Sequence, residues 1–164
     1  MGTFVTDQRG VTLTEIMIAV AIIGVGLVAL MSAIPIAAYG IQEGSQLSTA
    51  TFLANQRMEH FRNATWQAAP PVDNLGISAD STTAPVSGAV TTFPDENPVG
   101  APYTGYTRTV RITNCGVAPG CSGIVDAGLR QVTVTVSYRP MTGIGVAPAG
   151  TAKATLITMY ITQR

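Results

Sequence analysis

The chain has 164 residues, a formal net charge of zero and only 11% charged side chains. That length suits one ordinary domain. The charge balance argues against the basic stripe of a nucleic-acid binder, so no nucleic-acid contact is evident, and against strong steering of a partner of either sign. Much of the apolar excess lies between Ile16 and Ile41, leaving the remainder close to an ordinary soluble sequence.

Residues 1–10, "MGTFVTDQRG", are short and polar. From Ile16 to Ile41 no side chain is ionised. About 20 such residues in a helix span the hydrocarbon core of a bilayer. Periodicity cannot separate helix from strand in a run that is apolar on all sides, but length can, and it favours a helix. Gly24 and Gly26 weaken that helix without ending it. Pro35 is expected to kink it, because it removes one backbone donor and crowds the carbonyl one turn earlier. In the following segment Leu47, Thr51, Ala54, Met58 and Phe61 recur at helical spacing, with polar residues mostly elsewhere around the wheel. One helix of nearly fifty residues, about 70 Å long, is expected, with its apolar half in the region 11–41 and its amphipathic half in the region 42–66.

Residues 67–104 are rich in Pro, Gly, Ser, Thr and Ala, the composition of a long connection that is either functional surface or poorly ordered. The region 105–164 reads as strands at 106–113, 130–138 and 152–162. Val132, Val134, Val136 and Tyr138 share one face, and Thr133, Thr135 and Ser137 the other, as in a sheet with one dry and one wet side. Ile157, Met159 and Ile161 are expected to face inward. The fold class is therefore α+β: a long kinked N-terminal helix packed on an antiparallel sheet of three to four strands. Cys115 and Cys121 are separated by a Gly- and Pro-containing turn. In an oxidising compartment they are expected to form a disulfide that fixes a surface loop; in the cytosol they are free thiols.

One acid, Glu15, stands at the threshold of the apolar run. A secretory signal cut near Gly40 does not suit it, since the charged region would be nearly neutral and the apolar region too long. A plain single-span anchor with a periplasmic binding domain explains the run but leaves Glu15 incidental. A third reading comes from the residues themselves. "RGVTLTE" followed by "IMIAVAIIG" resembles the leader and N-terminus of type IV pilins and type II secretion pseudopilins: a short polar leader ending in Gly, a segment ending in Glu, and an apolar helix.

The resemblance implies that a prepilin peptidase removes residues 1–10, cutting between Gly10 and Val11, and that the new amino group of Val11 is N-methylated. Glu15 then becomes the fifth residue of the mature chain and forms an assembly charge pair with the Val11 ammonium of a neighbouring subunit. The implied partners are the peptidase, other pilins or pseudopilins in a filament, and the inner membrane before assembly. The implied location is single-pass in the bacterial inner membrane with the globular domain in the periplasm, then a pilus or pseudopilus. Val11 stands where Phe is common, and Ser32 where major pilins usually carry Pro. "GVGLVAL", "LANQRMEHFR" and the final strands look most like V-type minor pilins and I-type minor pseudopilins. A minor subunit of a type IV pilus is thus expected, with a minor type II secretion pseudopilin as the alternative. His60 reads as an exposed helix residue, "DEN" at 95–97 lacks the spacing of a calcium loop, and "NAT" at 63–65 is a chance glycosylation triplet. No catalytic residue, metal site or cofactor is expected.

Overall fold

The computed structural model describes residues 10–118, 120–140 and 151–163. Of the expected leader, only Gly10 falls among them. The architecture is a single long helix followed by small antiparallel sheets, an α+β, type IV pilin-like arrangement. Helix α1 (Leu13–Asn63) runs for 51 residues, about 75 Å at 1.5 Å per residue. It continues through Pro35, whose missing N–H leaves the Met31 carbonyl without its usual partner one turn on. His60 and Arg62 lie in its last turn, where cations complement the helix dipole.

The main sheet has the order β5 (Tyr106–Asn114), β6 (Leu129–Tyr138), β7 (Lys153–Thr162), all antiparallel. Its inner face follows from strict alternation. Val132, Val134, Val136 and Tyr138 of β6 are buried, as are Arg108, Val110 and Ile112 of β5. Ile157, Met159 and Ile161 of β7 are partly buried against the same core. The helix supplies Ala50, Leu53, Ala54, Met58 and Phe61.

The expected helix face is thus shifted. Leu47 is 49% exposed, and Ala50 and Leu53 take its place in the core. Below Ala50 the sheet touches the helix only through polar contacts, the Tyr106 hydroxyl donating to the Gln46 carbonyl and Lys153 pairing with Glu43, so Leu47 lies at the margin of the apolar core.

Between helix and sheet the chain forms two minimal hairpins, β1 (Trp66–Gln67) with β2 (Val72–Asp73) and β3 (Val86–Ser87) with β4 (Val90–Thr91). Turns built on side chains hold the rest: Asp73 accepts from the Leu75 and Gly76 amides, and Asp80 from those of Thr82 and Thr83. Gly76 has φ +72° and packs so closely on the backbone of Val86 that a Cβ would lie 2.7 Å from its carbonyl. The connection at 67–104 is therefore ordered, and Leu75, Phe93 and Val99 enter the core.

Candidate functional site

The N-terminal end of α1 is built by local rules. Thr12 is extended (φ −76°, ψ 149°) and its hydroxyl accepts from the Glu15 amide at 3.3 Å, while its carbonyl accepts from Glu15 and Ile16. This is the Thr-x-x-Glu spacing of a capping box, which satisfies amides left over at a helix start. Glu15 lies in the first helical turn, where the helix dipole favours an anion. No described residue forms an ion pair or side-chain hydrogen bond with its carboxylate.

Gly10 and Val11 precede the cap, outside the helix, and both are exposed, Val11 by 69%. The bond between them thus lies in non-helical, exposed backbone. Beyond Glu15 the side chains of Ile16, Ile22, Leu27, Leu30 and Ile36 are all exposed. A helix this apolar on all sides is a membrane span or the core of an assembly. By length and composition, α1 is able to cross a membrane.

Gly10, Val11 and Glu15 are therefore gathered at one end of the molecule. Cys115 and Cys121 are bonded to each other at the opposite end, in the turn after β5, with Cα atoms 4.6 Å apart. Both sulfurs are buried, while Val117 between them is exposed. Among the described residues no cluster of His, Cys, Asp and Glu could hold a metal.

Two buried charges escaped the sequence reading. Arg108 donates to Glu96 at 2.6 and 3.0 Å, to the Leu53 carbonyl at 2.9 Å and to Gln56 at 3.2 Å. Arg57 of α1 meets the other oxygen of Glu96 at 3.2 Å. Arg130 forms a two-toothed pair with Asp73 at 2.6 and 2.9 Å, and its guanidinium lies 4.2 Å from the Trp66 ring centre. Burial pushes the Asp73 carboxyl up. The Arg130 bond, with the amides of Gly76 and Leu75, outweighs that and holds it below the ordinary aspartate value. The signal was present: alternation sets Arg108 in phase with Val110 and Ile112, and Arg130 in phase with Val132. A charge on the dry face of a strand calls for a partner. These clamps fasten the 67–104 connection to helix and sheet.

A family model described as the prokaryotic N-terminal methylation motif matches residues 6–31. No curated protein and no solved structure matches the chain. The matched segment spans Gly10, Val11, Glu15 and the start of the exposed apolar helix, and the rest of the fold is the helix-on-sheet arrangement expected behind it. On a pilin-like architecture, the chain carries the N-terminal signature of type IV pilins and pseudopilins.

Proposed function

We propose that this protein is a minor pilin-like structural subunit of a type IV pilus. The observation that carries the reading is the methylation motif at 6–31 leading into a helix whose first half is buried by none of the other described residues. Prepilin peptidase hydrolyses the Gly10–Val11 bond, and the amino group so released on Val11 is methylated to a secondary ammonium. The apolar half of α1 holds the subunit in the inner membrane, with the globular domain on the periplasmic side. During assembly the same surface leaves lipid and packs against the helices of other pilins.

Glu15 gives that transfer its register. A carboxylate near hydrocarbon is costly without a partner. The methylated ammonium of a neighbour's Val11 supplies one, and losing one member of such a buried pair costs about 3–5 kcal/mol. The helix cap is a competing reason for an acid at this position, and a substitution separates the two. Glu15→Gln keeps the amide that donates to Thr12 and removes the charge. It is expected to leave the folded domain intact and to block entry into filaments.

Intact-mass and N-terminal analysis of the membrane-extracted protein tests processing directly. The expected product begins at Val11 and is one methyl group heavier than the bare peptide chain. A protein that retains Met1, or that begins at Ile41, would overturn the proposal.

A further inference from the structure

The two edges of the main sheet are finished differently. On β5, residues 106, 108, 110 and 112 point their backbone groups away from β6, and the chain itself takes them up. Arg108 exchanges both bonds with Glu96, the Tyr106 and Ile112 carbonyls accept from Val99 and Ser78, and the Val110 and Ile112 amides donate to Asp95 and Ser78 side chains. On β7 the antiparallel alternation directs the backbone of Ala154, Leu156, Thr158, Tyr160 and Thr162 outward. Among the described residues, none of these groups has a backbone partner on that side.

An open edge invites another strand, and proteins blunt such edges with proline, bulges, short length or inward charges. β7 pairs with β6 in unbroken register from Lys153 to Thr162, and within that span it has no proline and a single charge, at its first residue. The outward row is uncharged, with Leu156 62% and Tyr160 47% exposed. Beside the edge lies a cleft of about 250 Å³ lined by Arg62, Ala64 and Trp66 on one side and by β7 residues Met159–Thr162 on the other. No β6 residue lines it, so it opens where the inner side chains of a fourth strand would fall.

We infer that β7 is an acceptor edge for an extended, uncharged strand donated by a different protein, one inward side chain of which enters the cleft beside Trp66. A second copy of this chain could join β7 only in parallel, the less stable pairing per residue, and the cross-link below tests it. Head-to-tail pairing needs a free β5 edge, and that edge is closed by its own chain. Antiparallel β7–β7 pairing reverses one molecule, so the two apolar helices could not enter the same membrane; this second exclusion rests on the anchoring proposed above. Backbone bonds then give affinity, and the alternating side chains give selectivity.

The test uses the full chain in detergent micelles and a fluorescein-labelled peptide of about ten alternating valines and threonines. Two further peptides are N-methylated on all valines or on all threonines, which blocks one strand edge or the other. Saturable binding is expected from the unmodified peptide, with at least a tenfold loss for only one of the methylated forms. Any other pattern, including no binding, overturns the inference. Thr158→Pro removes an outward N–H and leaves the β6 ladder intact, so it is expected to weaken binding at least tenfold with unchanged Trp66 fluorescence. If that variant does not fold, the peptide pair still decides. Cross-linking of Thr158→Cys between two copies would overturn the inference in favour of self-pairing. None of these readouts depends on processing, so their failure leaves the Val11 and Glu15 reading standing.

Discussion

The two halves of α1 are continuous in backbone and opposite in surroundings. From Leu13 to Ile41 the side chains are almost all exposed, whereas from Ala50 to Phe61 one face is covered by the sheet and the 67–104 connection. Apart from the bond lost at Pro35, backbone hydrogen bonding does not distinguish them. The sheet covers only the half that already has a polar side to leave in water. The other half has no polar side, and it can be satisfied only by lipid or by other helices. One element thus carries two independent contracts: the stability of the folded domain rests on the second half and, on the proposed function, location and assembly rest on the first.

The largest effect that could break this division is Phe61→Ala. Phe61 is completely buried and packs edge-on against Phe93. Its truncation is expected to cost about 3–5 kcal/mol, read in denaturant unfolding by the fluorescence of Trp66. Ile22→Ala, in the exposed half, is expected to leave that transition in place. Equal losses from the two would mean that the halves are not independent.

Next in size is Arg108→Met, which leaves Glu96 with Arg57 as its one remaining described cation and takes the donor from the Leu53 carbonyl. Loss of one partner from a buried pair predicts a decrease of about 3 kcal/mol, without an effect on Val11 processing. Replacing both cysteines by serine is expected to cost about 2 kcal/mol, the chain-entropy value for so short a loop. It should loosen the turn at 115–121 and leave the opposite end of the molecule unchanged.

The smallest expected effect is on acidification. Asp73 is held low by Arg130 against its burial, and Asp95 is held low chiefly by its hydrogen bonds to Arg111. The Thr82 hydroxyl and amide hold exposed Asp80 at about 2. Between the folded values and the ordinary aspartate value of about 3.9, the unfolded chain binds more protons. The contribution of these carboxylates is therefore complete above that value and is lost as pH falls through the folded ones. Unfolding midpoints should drop with pH in that window, and Asp73→Asn should flatten part of the slope.

Much of this was legible in the sequence because it rests on local pattern. The uncharged run from Ile16 to Ile41 demanded a helix. The Val–Thr alternation of β6 fixed which face would be dry, and Leu156 and Tyr160 stood out as apolar residues on the wet face of β7. What remained hidden depends on contacts between residues far apart. Leu47 and Leu53 both lie on plausible helix stripes, and only the extent of the apolar core decides between them. Arg108 meets Glu96 across a turn-rich segment without periodicity, and Arg130 reaches Asp73 from the far side of the fold. The Thr12 cap was visible as Thr-x-x-Glu but lay beneath the processing motif that shares its residues.

One contact low on the domain has a mechanical side. Lys153, the first residue of β7, pairs with Glu43 on α1, just above the bare stretch of helix. The Tyr106 hydroxyl meets Gln46 nearby, and the Arg108 guanidinium meets Leu53 further up. Tension applied through the N-terminal helix would enter the domain at this lower rung and load the rungs above it in shear. Bonds arranged side by side along the pull must give way together, not one after another. A subunit laced this way would carry force along its stalk without being peeled open from its base.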